Sequence, residues 1–172
     1  MRRLLTTAGL FALLSGCGAD NQLGGSVGEL FPLTISRVEV YRNEQAIQVT
    51  YYANRATFLD VVVRIAVSLD GVALKNGMTI QLAGEGEPGH QRTSVAHAPG
   101  GEPVRNFPNV KLGDMKIDEL GYGEGPDGGL ATPSKGNFSM LFDSVGGDLG
   151  QGRTLTGNFS VTKTIDAGFG LP

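Results

Sequence analysis

The chain has 172 residues, a formal charge of −3 and a single cysteine. That length suits one domain with a real buried core, and mild acidity without a basic stripe excludes a nucleic-acid binder. One cysteine rules out an internal disulfide framework and a cysteine metal site.

Glycine is abundant, at 27 residues, and tryptophan is absent. Glycine beside many β-branched residues predicts strands joined by tight turns. Sugar-binding faces commonly stack pyranose rings on aromatic side chains, and here only four tyrosines could serve.

The amino terminus opens with Arg2 and Arg3, followed by an apolar stretch over 4–14 and then Ser15, Gly16 and Cys17. The apolar stretch is about half a bilayer core in length if helical. It is too short for a permanent span but suits the h-region of a signal peptide. Leu14-Ser15-Gly16-Cys17 resembles the lipobox of bacterial lipoproteins. Small side chains at Ser15 and Gly16 let an extended backbone enter a narrow protease groove, and Leu14 fills an apolar subsite. The resemblance implies cleavage before Cys17, a diacylglyceryl thioether on its sulfur, and a partner that is the membrane itself. It also implies residence in the cell envelope, at the outer membrane of a diderm host, since Gly18 and not an aspartate follows the cysteine.

Residues 1–16 are thus read as signal peptide, 17–33 as lipidated cysteine and flexible tether, and 34–172 as one domain. From Thr34 the pattern takes period two. Val38 and Val40 share one face, Ile47, Val49 and Tyr51 another, and Asn43-Glu44-Gln45 form the turn between them. Leu59, Val61, Val63, Ile65, Val67 and Leu69 fall on one face of the clearest strand, with Asp60, Arg64 and Ser68 opposite, predicting half-exposure. Asp70-Gly71 and Asn76-Gly77 are turn dipeptides that tolerate positive φ, and Met78, Ile80 and Leu82 resume the alternation.

Residues 83–136 are irregular, with short strands expected only near Thr93–His97 and Val110–Leu112. Loops this extensive in a compact domain are usually either functional or disordered, and a binding surface is expected here first. The carboxyl end repeats Gly-Asn-Phe-Ser at Gly136–Ser139 and Gly157–Ser160, read as neighbouring antiparallel strands with equivalent core phenylalanines. The whole predicts an all-β antiparallel sandwich of about seven to nine strands, immunoglobulin-like in outline, with a small β-barrel as the alternative.

Catalytic signatures fare poorly. Gly24-Gly-Ser26-Val-Gly28 matches Gly-x-Ser-x-Gly, but a nucleophile elbow needs a strand before the serine and a helix after it. Gly84–Gly89 and Gly123–Gly128 match Gly-x-Gly-x-x-Gly, yet both contain acids and a proline and neither opens a helix. His90 and His97 are the only histidines, and seven residues apart on a strand they point to opposite faces. His97 follows Val95 in phase, as a partly buried structural residue would. Asp118, Glu119, Glu124 and Asp127, with Asp143 and Asp148 further on, offer hard oxygen ligands suited to calcium. No Asp-x-Asp-x-Asp-Gly loop accompanies them, and solvated surface acids are the ordinary alternative. Asn137-Phe-Ser139 and Asn158-Phe-Ser160 match the glycosylation sequon but fall within strands.

The expectation is a non-enzymatic envelope lipoprotein without a cofactor, a binding or structural component with an envelope protein or glycan as partner. The alternatives are a calcium- or carbohydrate-binding module using residues 83–136 and, third, a hydrolase.

Overall fold

The computed structural model describes residues 21–54, 59–86, 88–121, 134–161 and 164–166, the last in backbone only. Eleven strands are present among these residues, more than the seven to nine expected. They are β1 (Gln22–Gly24), β2 (Arg37–Arg42), β3 (Ala46–Asn54), β4 (Leu59–Ser68), β5 (Met78–Gln81), β6 (Thr93–Ala98), β7 (Arg105–Asn106), β8 (Val110–Glu119), β9 (Ser134–Phe142), β10 (Thr154–Val161) and β11 (Thr164–Asp166). A four-residue 3-10 turn, Ser26–Glu29, follows β1.

Two open sheets face one another, one of order β1-β10-β9-β8-β5 and one of order β11-β2-β3-β4-β6-β7. The fold is an all-β sandwich, with no closed barrel among the described residues. Pairing is antiparallel throughout except for β11, which runs parallel to β2. Two meanders, β2-β3-β4 and β8-β9-β10, keep consecutive strands within one sheet. This order is the chain's own, in place of the ABED and CFG division of immunoglobulin domains.

The predicted alternation holds on β2 and β3. Val38, Val40, Ile47, Val49 and Tyr51 all enter the core, and each fully buried aliphatic side chain contributes about 1.5–3 kcal/mol. Asn43 closes the intervening turn by accepting the Gln45 and Ala46 amides at 2.9 and 2.8 Å, as Asx turns do.

On β4 the expected single apolar face is broken. The pairing with β3 steps from Tyr51↔Val63 to Tyr52↔Val61, and that with β6 from Arg64↔Ala96 to Val61↔Ala98. Val62 is the extra residue of a β-bulge, which inverts the phase of everything before it. Leu59 is therefore exposed while Asp60 and Val62 are buried. The strand is also less open than predicted, because Ala66 and Ser68 on its second face are buried as well.

The two Gly-Asn-Phe-Ser copies pair with each other, in register Gly136↔Phe159, Asn137↔Asn158 and Phe138↔Gly157. This generates a local two-fold centred on the asparagine pair. Each phenylalanine ring lies over the opposing glycine: a Cβ on Gly157 would stand 2.7 Å from Phe138 Cζ, and one on Gly136 2.5 Å from Phe159 Cζ. The repeat is thus one packing unit used twice, with glycine leaving room for the partner's ring. Tyr51 meets this unit from the opposite sheet, edge-on to Phe138, and donates its hydroxyl to the Asn158 carbonyl at 2.9 Å.

Candidate functional site

The tether expected over 17–33 gives way to an ordered strap from Asn21 onward. Asn21 imitates a strand residue with its side chain, accepting the Ser160 amide at 2.7 Å and donating to the Ser160 carbonyl at 3.3 Å. β1 then pairs with β10 through Gln22↔Asn158, Leu23↔Gly157 and Gly24↔Thr156. Gly25 turns the chain at φ 103°, so close to β10 that a Cβ there would lie 2.3 Å from the Thr154 carbonyl oxygen. Ser26 and Thr154 exchange bonds: the Ser26 amide donates to Thr154 Oγ1 at 3.1 Å, and the Thr154 amide to Ser26 Oγ at 2.9 Å. Val27 is wholly buried and Arg153 pairs with Glu29. Glycine and small polar residues make 18–33 read as a linker, yet the ladder needs only backbone groups. Val27 supplies the apolar anchor.

The same geometry disposes of the nucleophile elbow. Ser26 follows a glycine turn, leads into a single 3-10 turn, and has its hydroxyl engaged by Thr154. Cys17 lies outside the described residues, four positions before Asn21.

Beyond the 3-10 turn, Phe31 stacks on His97 with centroids 3.9 Å apart and planes 15° apart. His97 is buried, and its Nδ1–H donates to the Val62 carbonyl at 2.8 Å, fixing one tautomer. Desolvation lowers its pKa below the ordinary imidazole value, against the opposing pull of that backbone bond. This is the structural role expected of it. His90 is exposed in the loop before β6.

Three of the described acidic candidates, Asp118, Glu119 and Asp148, are committed to a neighbour. Asp118 sits 2.6 Å from Lys116 Nζ and accepts Asn137 Nδ2 at 3.2 Å. Glu119 lies 3.4 Å from Lys135 Nζ. Asp148 accepts the Asn106 amide at 2.7 Å and thereby pins the β9–β10 connection. Glu124 and Asp127 lie outside the described residues. Among the described residues no group of three or more His, Cys, Asp or Glu assembles as a metal cluster.

Two surface features escaped the sequence reading. The first is a cleft of about 310 Å³ lined by Gln45, Ser68, Asp70, Gly71, Gly86 and Pro88. At its rim Asp70, held at φ 49°, accepts Ser68 Oγ at 2.9 Å and binds Arg92 at 3.0 Å. The second is on the outer face of the six-stranded sheet. Glu39 receives the Tyr41 hydroxyl at 2.6 Å and the Arg37 guanidinium at 2.9 Å, while Arg37 also lies 4.9 Å from the centre of the Tyr52 ring. The bond to Glu39, then desolvation, raises the Tyr41 pKa; burial, then Glu39, raises that of Tyr52. Arg37, Glu39 and Tyr41 alternate with Val38 and Val40, so this polar stripe was the unread half of a strand already recognised. Of the remaining tyrosines, Tyr51 is core and Tyr122 lies outside the described residues.

Comparison with known families, curated proteins and solved structures finds no match for this chain.

Proposed function

We propose that the protein is a membrane-anchored envelope lipoprotein whose sandwich serves as a non-enzymatic binding or structural component. The observation that carries this reading is the ordered series Arg2-Arg3, apolar 4–14, and Leu14-Ser15-Gly16-Cys17. It is supported by the engagement of two residues with catalytic potential, Ser26 by Thr154 and His97 by Val62 and Phe31. Two or three acyl chains, at ~0.8 kcal/mol per buried methylene, make attachment stable without basic help from the protein. Cys17→Ser is expected to abolish palmitate incorporation in cells and release precursor or soluble protein. Persistent labelling of that variant would sink the reading.

A second reading, a carbohydrate-binding module, is favoured by the Tyr41, Tyr52, Arg37 and Glu39 group on one sheet face. Aromatic rings beside charged hydrogen-bonding groups suit a polyhydroxylated ligand. Calorimetry against a glycan panel is expected to give heat for at least one member, and Tyr52→Ala to weaken it roughly tenfold if a ring stacks there. Silence across the panel removes this option.

A further inference from the structure

An acylated Cys17 would be separated from the fixed residue Asn21 by three residues, 18–20. Four Cα steps span about 14 Å at most. A free leash from Cys17 to Thr34 would instead reach ~55 Å when extended, with a root-mean-square span of ~20–25 Å, and would let the domain tumble. The strap removes that freedom: Asn21 is bonded to Ser160, β1 to β10, Ser26 to Thr154, and Val27 lies in the core.

The direction of β1 decides which end is held. It runs antiparallel to β10, so the chain enters beside Ser160 and proceeds towards Thr154. Lys135 pairs with Ser160 in the next strand and therefore shares the entry corner. Thr154 stands six residues down β10, about 20 Å away, and the β9–β10 connection over 143–153 continues from that end. The corner carries Asn21, Ser160 and the Lys135–Glu119 pair, groups that suit hydrated lipid headgroups. The far connection carries Val145, the most exposed large apolar side chain among the described residues at 75%.

We infer that the anchor holds the sandwich end-on against a phospholipid surface, with the Asn21–Ser160–Lys135 corner at the headgroups and the 143–153 connection facing away. This rests on the lipoprotein reading, and the test separates the two. The full, lipidated chain is reconstituted in phosphatidylethanolamine–phosphatidylglycerol vesicles carrying an acceptor dye on the outer headgroups. Lys135→Cys or Val145→Cys takes a donor dye, since the acylated Cys17 sulfur is blocked as a thioether. Energy transfer from position 135 is expected to exceed that from 145 by about twofold or more, given the ~20 Å offset. Insertion of about twelve Gly/Ser residues between Cys17 and Asn21 is expected to erase the difference by restoring a flexible leash. Protein that fails to float with the vesicles overturns the anchor, and this orientation with it. Protein that floats but shows equal transfer from both positions overturns the orientation alone.

Discussion

Replacing Gly136 by alanine is expected to destabilise the fold by about 3 kcal/mol, and Gly157→Ala by about 2 kcal/mol, the range for forcing atoms into a packed interior. A methyl at Gly136 would meet the Lys116 carbonyl oxygen at 2.4 Å and Phe159 Cζ at 2.5 Å; at Gly157 it would meet Phe138 Cζ at 2.7 Å and the Gln22 carbonyl oxygen at 2.8 Å. Neither glycine has positive φ, so backbone preference alone would favour alanine in a strand. Any loss is therefore steric. Gly136 is the worse site because its nearest neighbour is backbone on β8, which cannot retreat without opening the β8–β9 ladder.

Gly77→Ala makes the control. It has φ 76° and nothing within 4 Å of a new Cβ, leaving only left-handed strain of about 1–2 kcal/mol. Urea unfolding of the three variants separates the cases, and Phe138→Leu combined with Gly157→Ala tests the ring contact. If the leucine relieves none of the alanine's cost, the ring is not what the glycine accommodates. Equal losses at positions 77, 136 and 157 would remove the paired ring-over-glycine unit as an explanation.

The repeat was legible because it states its geometry twice. A Gly-x-Phe spacing of two puts both residues on one face, and two such strands side by side bring ring over glycine. Alternation likewise revealed the core faces of β2 and β3. It failed on β4, where six apolar residues in perfect period two were split by the Val62 bulge, a feature no periodicity predicts. It failed again over β8, where register shifts beside Leu112 and before Glu119 interrupt the pattern, and a ten-residue strand read as an isolated Val110–Leu112. The strap was hidden for a different reason. Its ladder uses main-chain groups and the Asn21 amide, and its apolar contacts, Val27 fully buried and Leu23, Phe31 and Leu33 partly so, follow no strand period. The Glu39 cluster is silent for a third reason: its members are the polar alternates of Val38 and Val40, and a polar outer face looks the same whether its side chains cluster or stand apart in solvent.

Tyr51 should make the protein unusually sensitive to alkali. Its ring is wholly buried and desolvation pushes the phenol well above its ordinary value of 10.0. A pKa raised in the folded state means that stability is complete below the unfolded value and is lost as pH climbs past it towards the folded value. Unfolding free energy should therefore fall by about 1.4 kcal/mol per pH unit above pH 10 on account of this residue. Tyr41 and Tyr52 are shifted the same way, but solvent reaches both, which screens their share. Tyr51→Phe separates the buried contribution. At neutral pH it is expected to cost about 1–2 kcal/mol, because the Asn158 carbonyl loses its donor within the sandwich. Above pH 10 the variant lacks the steep decline, so the two stability curves should cross near pH 11, roughly where the accumulated loss equals the neutral-pH cost. Urea midpoints at pH 7, 10, 11 and 12 would show the crossing. Parallel curves for wild type and Tyr51→Phe would mean that the hydroxyl linking the two sheets titrates freely, and that the bond from Tyr51 to β10 does not join them.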